Sequence, residues 1–473
     1  MKQFWRSLLS ALKIVLVILL VAAAAGSVLF AWNYLHHQQP EVIEPVVPPT
    51  TEITQPPTAP PTEPPTEPPE PEHVVSRATI GATGDLLMHM PVIDTARQSD
   101  GSYNFDYIFR YLREYTNAAD FAVANLETTL AGAARGYSGY PNFNCPDEIV
   151  DGARNGGFDM LLTGNNHSYD TGESGFFRTI ETVRSKGLQT LGTMLNGDEP
   201  KYVIQDINGI QVGMLSYTYQ GRPENGYANR VYLNGLLLHQ GAEDVVNTFL
   251  PNNPEPFYAE VESYIRQMRS EGAEALVIFL HWGVEYTTTP VAHQTQIAQK
   301  LCDLGIDVIV GGHPHVVEPV ALLSSSVDPD HKTVCLYSMG NAVSNQRANV
   351  MKSQPNGYTE DGVWFTMTFC KYSDGTVYLE DVNLIPTWVY LRTTNGRRYD
   401  ILPLDDATRD QWAQLYDLQE VTVSAAQRSY ERTMGIVGQG LAESRQYLAS
   451  AQEQRDANYL AALTEMLYGN QAA

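Results

Sequence analysis

With 473 residues, 43% of them apolar, the chain is too long for one ordinary core and too apolar to be disordered, so at least one large globular domain must be present. Its 30 Lys and Arg stand against 54 Asp and Glu, a formal charge of −24. That balance opposes attraction to a phosphate backbone and excludes nucleic acid as a partner.

The N-terminus departs from this acidity, because Lys2, Arg6 and Lys13 are the only charged residues among the first 39. Residues 14–32, IVLVILLVAAAAGSVLFAW, are 19 uncharged residues in a row; as a helix they would span roughly 29 Å, the thickness of bilayer hydrocarbon. A cleavable signal peptide is the alternative, with the small residues 22–26 as its cleavage site. Apolar sequence continuing through Val28, Leu29, Phe30 and Trp32 favours a retained transmembrane helix. The expectation is a single-pass protein of the cell membrane, with residues 1–13 cytoplasmic and the main domain extracellular. Residues 33–76 form a linker rich in Pro, Thr and Glu, with 13 prolines in the 32 residues from Pro40 to Pro71. Such a stretch cannot pack a core and favours extended polyproline II, a spacer of up to roughly 100 Å at about 3.1 Å per residue.

From residue 77 to about 400 short β-rich runs alternate with helical stretches, the pattern of a layered α/β domain. Strands are expected at 77–83, 121–124, 158–163, 188–192, 275–280, 308–310 and 334–337. Asn208–Gly209 between 202–207 and 210–218 reads as a tight hairpin, as does Asp374–Gly375 between 363–370 and 376–384, so the sheet is mixed. Apolar residues near 3.6 spacing predict helices over 107–115, 146–155, 175–185, 256–270 and 291–304. Residues 401–473 read as a helical C-terminal extension, rich in Ala, Gln, Glu and Leu from about 408 to 468. Four cysteines, none in a CxxC pair, are too few for a disulfide scaffold or a thiolate metal site.

Polar residues gather where these strands end. The first runs into Gly84–Asp85 and His89, the second into Asn125 and Glu127, the third into Asn165, Asn166, His167 and Asp170. Later strands deliver His281 and Glu285, then His313 and His315, then Asn341. In open α/β sheets ligands bind beyond the carboxyl ends of strands, where loops converge. Taken singly, Asp85 or Glu127 is explained as a helix cap and Asn166 as a turn residue. Together, imidazole nitrogens with carboxylate and amide oxygens make the donor set of Mn, Fe or Zn. His313 and His315, two apart, are placed to face one metal centre across a short turn.

The segments GDLLMH (84–89), NLE (125–127), GNNHSYD (164–170), HWGVEY (281–286), GGHPH (311–315) and SMGN (338–341) resemble the capsule-biosynthesis CapA family, associated with poly-γ-glutamate, over about residues 77–345. That family is similar to the calcineurin-like metallophosphoesterases. The resemblance implies a two-sheet sandwich flanked by helices and a metal-dependent hydrolase with two divalent ions. Carried over by motif, Asp85, Glu127, Asn166, His281, His313 and His315 would be ligands, with Glu127 bridging where that pattern has Asp. His167 would protonate the leaving group. The pattern's His two residues after the first Asp is Leu87 here, which leaves His89 as the nearby substitute. Asn125, Asn165, Asp170, Glu285 and Asn341 would support the ligands or meet substrate.

Two functions follow. One is a membrane-anchored protein with a phosphoesterase-type site, acting on a phosphoester or a polyanionic envelope polymer in capsule assembly. The other is a non-catalytic polymer-binding scaffold or export subunit partnered with a membrane synthase. An acidic domain repels a polyanion unless metals or residues such as Arg222, Arg230 and Arg347 offset it.

Overall fold

The computed structural model describes residues 73–394 and 396–468. The apolar run 14–32, the charged residues before it and the linker up to residue 72 lie outside the described residues. Among those described, no helix is long and apolar enough to cross a membrane.

In chain order the strands are β1 (Val74–Leu87), β2 (Phe121–Glu127), β3 (Met160–Leu162), β4 (Gln189–Leu191), β5 (Tyr202–Ile207), β6 (Ile210–Tyr219), β7 (Tyr232–Leu233), β8 (Leu236–Leu237) and β9 (Thr248–Phe249). They continue with β10 (Ala275–His281), β11 (Val308–Gly312), β12 (Val317–Ser324), β13 (Lys332–Met339), β14 (Asn341–Val343), β15 (Asp361–Tyr372), β16 (Val377–Arg392) and β17 (Arg398–Pro403). One sheet runs β17-β16-β15-β1-β2-β3-β4 with β14 beside β1, and the other β12-β13-β11-β10-β6-β5 with β9 beside β6. Both are mixed: β1 to β4 are parallel, as are β6, β10, β11 and β13, while β15 to β17, β12 and β5 pair antiparallel.

The sheets stack face to face. On β10, Ala275, Val277 and Phe279 enter the core between the sheets together with Ala78, Ile80 and Ala82 of β1. The alternate residues Leu276, Ile278 and Leu280 pack outward on Val261 of the helix Glu255–Ser270 and Leu301 of the helix Ala292–Asp303. Helices Met90–Ala96 and Glu148–Asn155 cover the other sheet in the same way through Val92, Ile93, Ile149 and Val150. A strand buried on both faces needs apolar residues at every position, which is why these strands read as unbroken apolar runs. The structure is thus the expected sandwich with helices on its outer faces.

The long helix Glu420–Tyr468 packs on β16 of one sheet and β12 of the other, adding Val437, Leu441 and Leu448 to the core between them. Gly440 permits this approach, since a Cβ there would fall 1.7 Å from the Val320 carbonyl oxygen.

Both hairpins form, with Asn208 and Gly209 at φ 54° and 81° as a two-residue turn requires. Two helices differ from expectation. The stretch 107–115 is split into Asp106–Phe109 and Arg113–Ala118, and Arg110 in the gap reaches Asp400 of β17 at 3.0 Å. The C-terminal stretch is not continuous: after Trp412–Leu415 the chain turns at Asp417, φ 51°. Arg392 takes the carbonyls of Tyr416 and Asp417 at 2.6 and 3.1 Å, so these acceptors are withdrawn from any helical ladder. Strands β12, β14 and β17 were not expected from the sequence.

Candidate metal centre

The parallel strands of each sheet end at one end of the sandwich, and there the polar residues meet. Asp85 and Glu127 lie inside β1 and β2, both 0% exposed, and cap no helix. The β1–β2 register slips between Thr83 and Asp85, an irregularity of the kind that re-aims a side chain beside a site. Asp85 Oδ1 accepts from Asn125 Nδ2 at 2.7 Å; Oδ2 accepts from His315 Nδ1 at 3.2 Å and from the His313 N–H at 3.4 Å.

Glu127 is different, because neither of its buried oxygens has a hydrogen-bond partner among the described residues. Its nearest bases are His281 Nε2 at 3.5 Å and His315 Nε2 at 3.9 Å. His281, the last residue of β10, also places Nε2 2.8 Å from Asn166 Oδ1. His313 Nδ1 is buried and has no partner among the described residues. His313 and His315 adopt φ of 95° and 58° around Pro314; such strain in residues other than glycine persists only where the surroundings enforce it.

These donors form two groups. Glu127, His281 and His313 offer ligand atoms within 4.8 Å of one another, and so do Asp85, Glu127 and His315. Glu127 belongs to both. His313 and His315, with ring centroids 5.9 Å apart, thus belong to different groups that meet at Glu127.

The charges explain one another. Burial works against an ionised Glu127, yet His315 and His281 outweigh it and hold the carboxyl well below its usual range. Burial likewise works against a charged His315, but Glu127 and Asp85 push it up to about 9. Burial, with His281 and His315 adjacent, drives His313 well below its usual value, so its imidazole is neutral. Two unpartnered carboxylate oxygens beside a neutral imidazole with a buried free nitrogen are a costly arrangement for protein alone. They fit a divalent cation, whose ligands are carboxylates and neutral imidazoles.

The remaining expected residues surround this core. His167 Nδ1 donates to Asp170 Oδ2 at 2.7 Å, and the same oxygen accepts the Phe143 N–H at 2.8 Å. Burial lowers the His167 pKa, but Asp170 more than offsets it and the net direction is upward. Asn165 props Asn125, donating to its Oδ1 at 3.1 Å. Asn341 Nδ2 donates to the His315 carbonyl at 3.2 Å. His89 is in neither group; its Nδ1 accepts the Asn345 N–H at 3.3 Å, its ring stands edge-on to Phe143, and burial with His315 nearby lowers it to about 4. Glu285 is exposed on the loop after β10. The three arginines are engaged by the chain itself: Arg347 by Glu360 and the Val389 carbonyl, Arg222 by Gln220 and the Arg230 carbonyl, and Arg230 by the Leu238 carbonyl.

Sequence reasoning missed Tyr219 and Tyr286. Tyr219 closes β6 and packs its ring 4.7 Å from that of His313, so the strand-end rule finds it once aromatic residues are admitted. Tyr286 lies 6.1 Å from the His315 ring and accepts from Gln346 Nε2 at 3.2 Å.

The family model described as bacterial capsule synthesis protein PGA_cap matches residues 79–346, which include every residue of both groups. The chain is 26% identical over 275 residues to the capsule biosynthesis protein CapA of Bacillus anthracis, covering 57% of this chain and 60% of that one. It is 28% identical over 269 residues to the PGA biosynthesis protein CapA of Bacillus subtilis (strain 168), covering 56% and 62%. The match thus spans about 60% of the length of these relatives. Among solved structures, the Termus thermophilus sulfate thiohydrolase SoxB in complex with glycerol aligns over 69% of this chain and 45% of its own, at 14% identity and a TM-score of 0.34, too low to bear on the fold.

Proposed function

The chain belongs to the bacterial capsule synthesis protein PGA_cap family, and from that premise we propose that it is a metal-dependent hydrolase of phosphoesterase type serving assembly of a capsule or other envelope polymer. The single observation carrying the catalytic part is Glu127, a buried carboxylate with two unpartnered oxygens shared by two ligand groups. The polymer is suggested by the names of the Bacillus relatives, a capsule and a PGA biosynthesis protein.

Asp85, Glu127 and His315 would hold one cation, and Glu127, His281 and His313 a second, with Asn166 Oδ1 beside the latter. Such ions supply Lewis-acid polarisation and a water-derived nucleophile near neutral pH. The protein's own part is positional. Asn125 orients Asp85, and the strained 313–315 turn aims both imidazoles. His167, oriented by Asp170 through Nδ1, keeps Nε2 for passing a proton to the departing oxygen. Phe143, edge-on to both His89 and His167, excludes water from that side.

The uncharged run 14–32 behind a basic end supports a membrane tether with the domain held outside on the proline-rich linker. The purified chain should take up Mn²⁺ or Zn²⁺ and hydrolyse a generic phosphodiester or a γ-glutamyl polymer, with loss on His315→Ala. Protein that binds no metal and turns over neither substrate refutes the hydrolase reading, and polymer binding without turnover replaces it by a scaffold.

A further inference from the structure

The Asp85 side of the centre leans on backbone that the C-terminal helix grips. Asp361, which opens β15 and is 1% exposed, receives three donations from that helix. Arg432 Nε reaches Oδ2 at 2.7 Å, Arg432 Nη2 reaches Oδ1 at 2.7 Å, and Ser429 Oγ reaches Oδ1 at 2.6 Å. Arg432 Nη2 also donates to the Gly357 carbonyl at 3.2 Å. A guanidinium fork with an added hydroxyl fixes a carboxylate in orientation as well as place.

From Asp361 the contact passes through backbone with no slack. Gly340, at φ 66°, bridges to Gly362; a Cβ on Gly340 would fall 2.5 Å from the Asp361 carbonyl oxygen, and one on Gly362 2.2 Å from that of Asn341. The Gly340 carbonyl accepts the Asp85 N–H at 3.1 Å. Asn341 Nδ2 donates to the carbonyls of His315 and Thr359 and to Gln346 Oε1, at 3.2, 3.0 and 3.0 Å. Asp85 and His315 therefore rest on residues 340–341, and these on Asp361. The His281 and His313 rings have supports of their own in Asn166 and Tyr219, and share Asn125, which lies 3.4 Å from His281 Nδ1, with Asp85.

We propose that Arg432 is a positioning residue: through Asp361 it sets the donor atoms of Asp85 and His315, so the C-terminal helix governs occupancy of the Asp85–Glu127–His315 position and not of the Glu127–His281–His313 position. Both Asp361 and Arg432 lie beyond the family match, which ends at 346. The inference rests on the reading of the centre as a pair of cation positions.

The test is Mn²⁺ titration of the full chain, with bound metal measured after dialysis and the spin spectrum recorded. Wild type is expected to bind two equivalents in an exchange-coupled state. Arg432→Ala keeps one at wild-type affinity and loses the other by about 10–100-fold, the usual effect of removing a ligand's support, leaving an uncoupled spectrum. Arg432→Lys, which keeps the charge without the fork, falls between. Arg445→Ala removes a different ion pair of the helix, to Asp381 of β16 at 3.2 Å, and retains both equivalents. Should Arg432→Ala fail to fold, Ser429→Ala is expected to weaken the same single position. Unchanged binding in these variants, or equal weakening of both positions, overturns the inference alone. A wild type that takes up fewer than two equivalents overturns the reading of the centre and the inference with it.

Discussion

Three residues beyond His315, β12 carries a carboxyl with no business in a core. Glu318 is 0% exposed; Oε2 accepts from Gln294 Nε2 at 2.7 Å, and Oε1 has no partner among the described residues. Burial pushes its pKa from 4.5 to about 7, and the Gln294 bond only partly opposes the rise. Cys335 and Tyr337, which face it, are themselves raised by burial and bring no positive charge. The folded state therefore holds this proton more tightly than the unfolded chain does. That contribution is complete below about pH 4.5 and is lost as pH rises through about 7. A difference of about 2.5 units corresponds to roughly 3 kcal/mol. Glu318→Gln keeps the shape and the neutral state but cannot ionise. Denaturant unfolding of both proteins in EDTA, from pH 4.5 to 8.5, should show the stability of the variant relative to wild type rising by roughly 3 kcal/mol across the range. All other groups cancel in that difference. Parallel profiles would show that Glu318 finds a partner or solvent in solution, and would refute the argument from burial.

Two further outcomes follow. Mn²⁺ at about 100 times its dissociation constant should stabilise wild type against thermal unfolding by about 2.7 kcal/mol per independent site, and Glu127→Gln should abolish the increment, because that side chain serves both groups. Gly440→Ala should destabilise by about 1–3 kcal/mol by denaturant unfolding, since its methyl meets the Val320 backbone and not a side chain that can swing aside.

The sandwich was legible because its strands are buried on both faces, so β10 and β11 print as apolar runs bounded by polar turns. The short strand β14 was not, since three residues beside β1 leave no periodicity to read. Nor was the break at Asp417, which depends on Arg392, 25 residues earlier. The same division holds at the centre. That five histidines cluster where strands end could be read from spacing, because parallel strands deliver their ends to one edge. Which imidazole joins which carboxylate could not, because it depends on the tertiary placement of the 313–315 turn, and nothing in GGHPH announces its two positive φ angles. In sequence His89 reads as the substitute for the histidine that Leu87 replaces; in the structure it stands in neither group, with its ring against Phe143 and its Nδ1 3.3 Å from the Asn345 nitrogen.

The acidity of the chain bears on what the centre could hold. A polyanionic polymer approaching a chain of formal charge −24 meets net repulsion. Of the three arginines singled out, Arg347 is paired with Glu360, while Arg222 and Arg230 donate to the neutral carbonyls of Arg230 and Leu238, which hold them in place but leave their charge. Asp85 and Glu127 are buried at the centre, and Glu285 is exposed on the loop after β10. Two divalent ions at the centre would outweigh its two carboxylates and make the local sign positive. If the substrate is an anionic polymer, its binding therefore depends on metal more strongly than that of a small phosphodiester, which carries a single negative charge. The two substrate classes differ in that respect before any bond is broken.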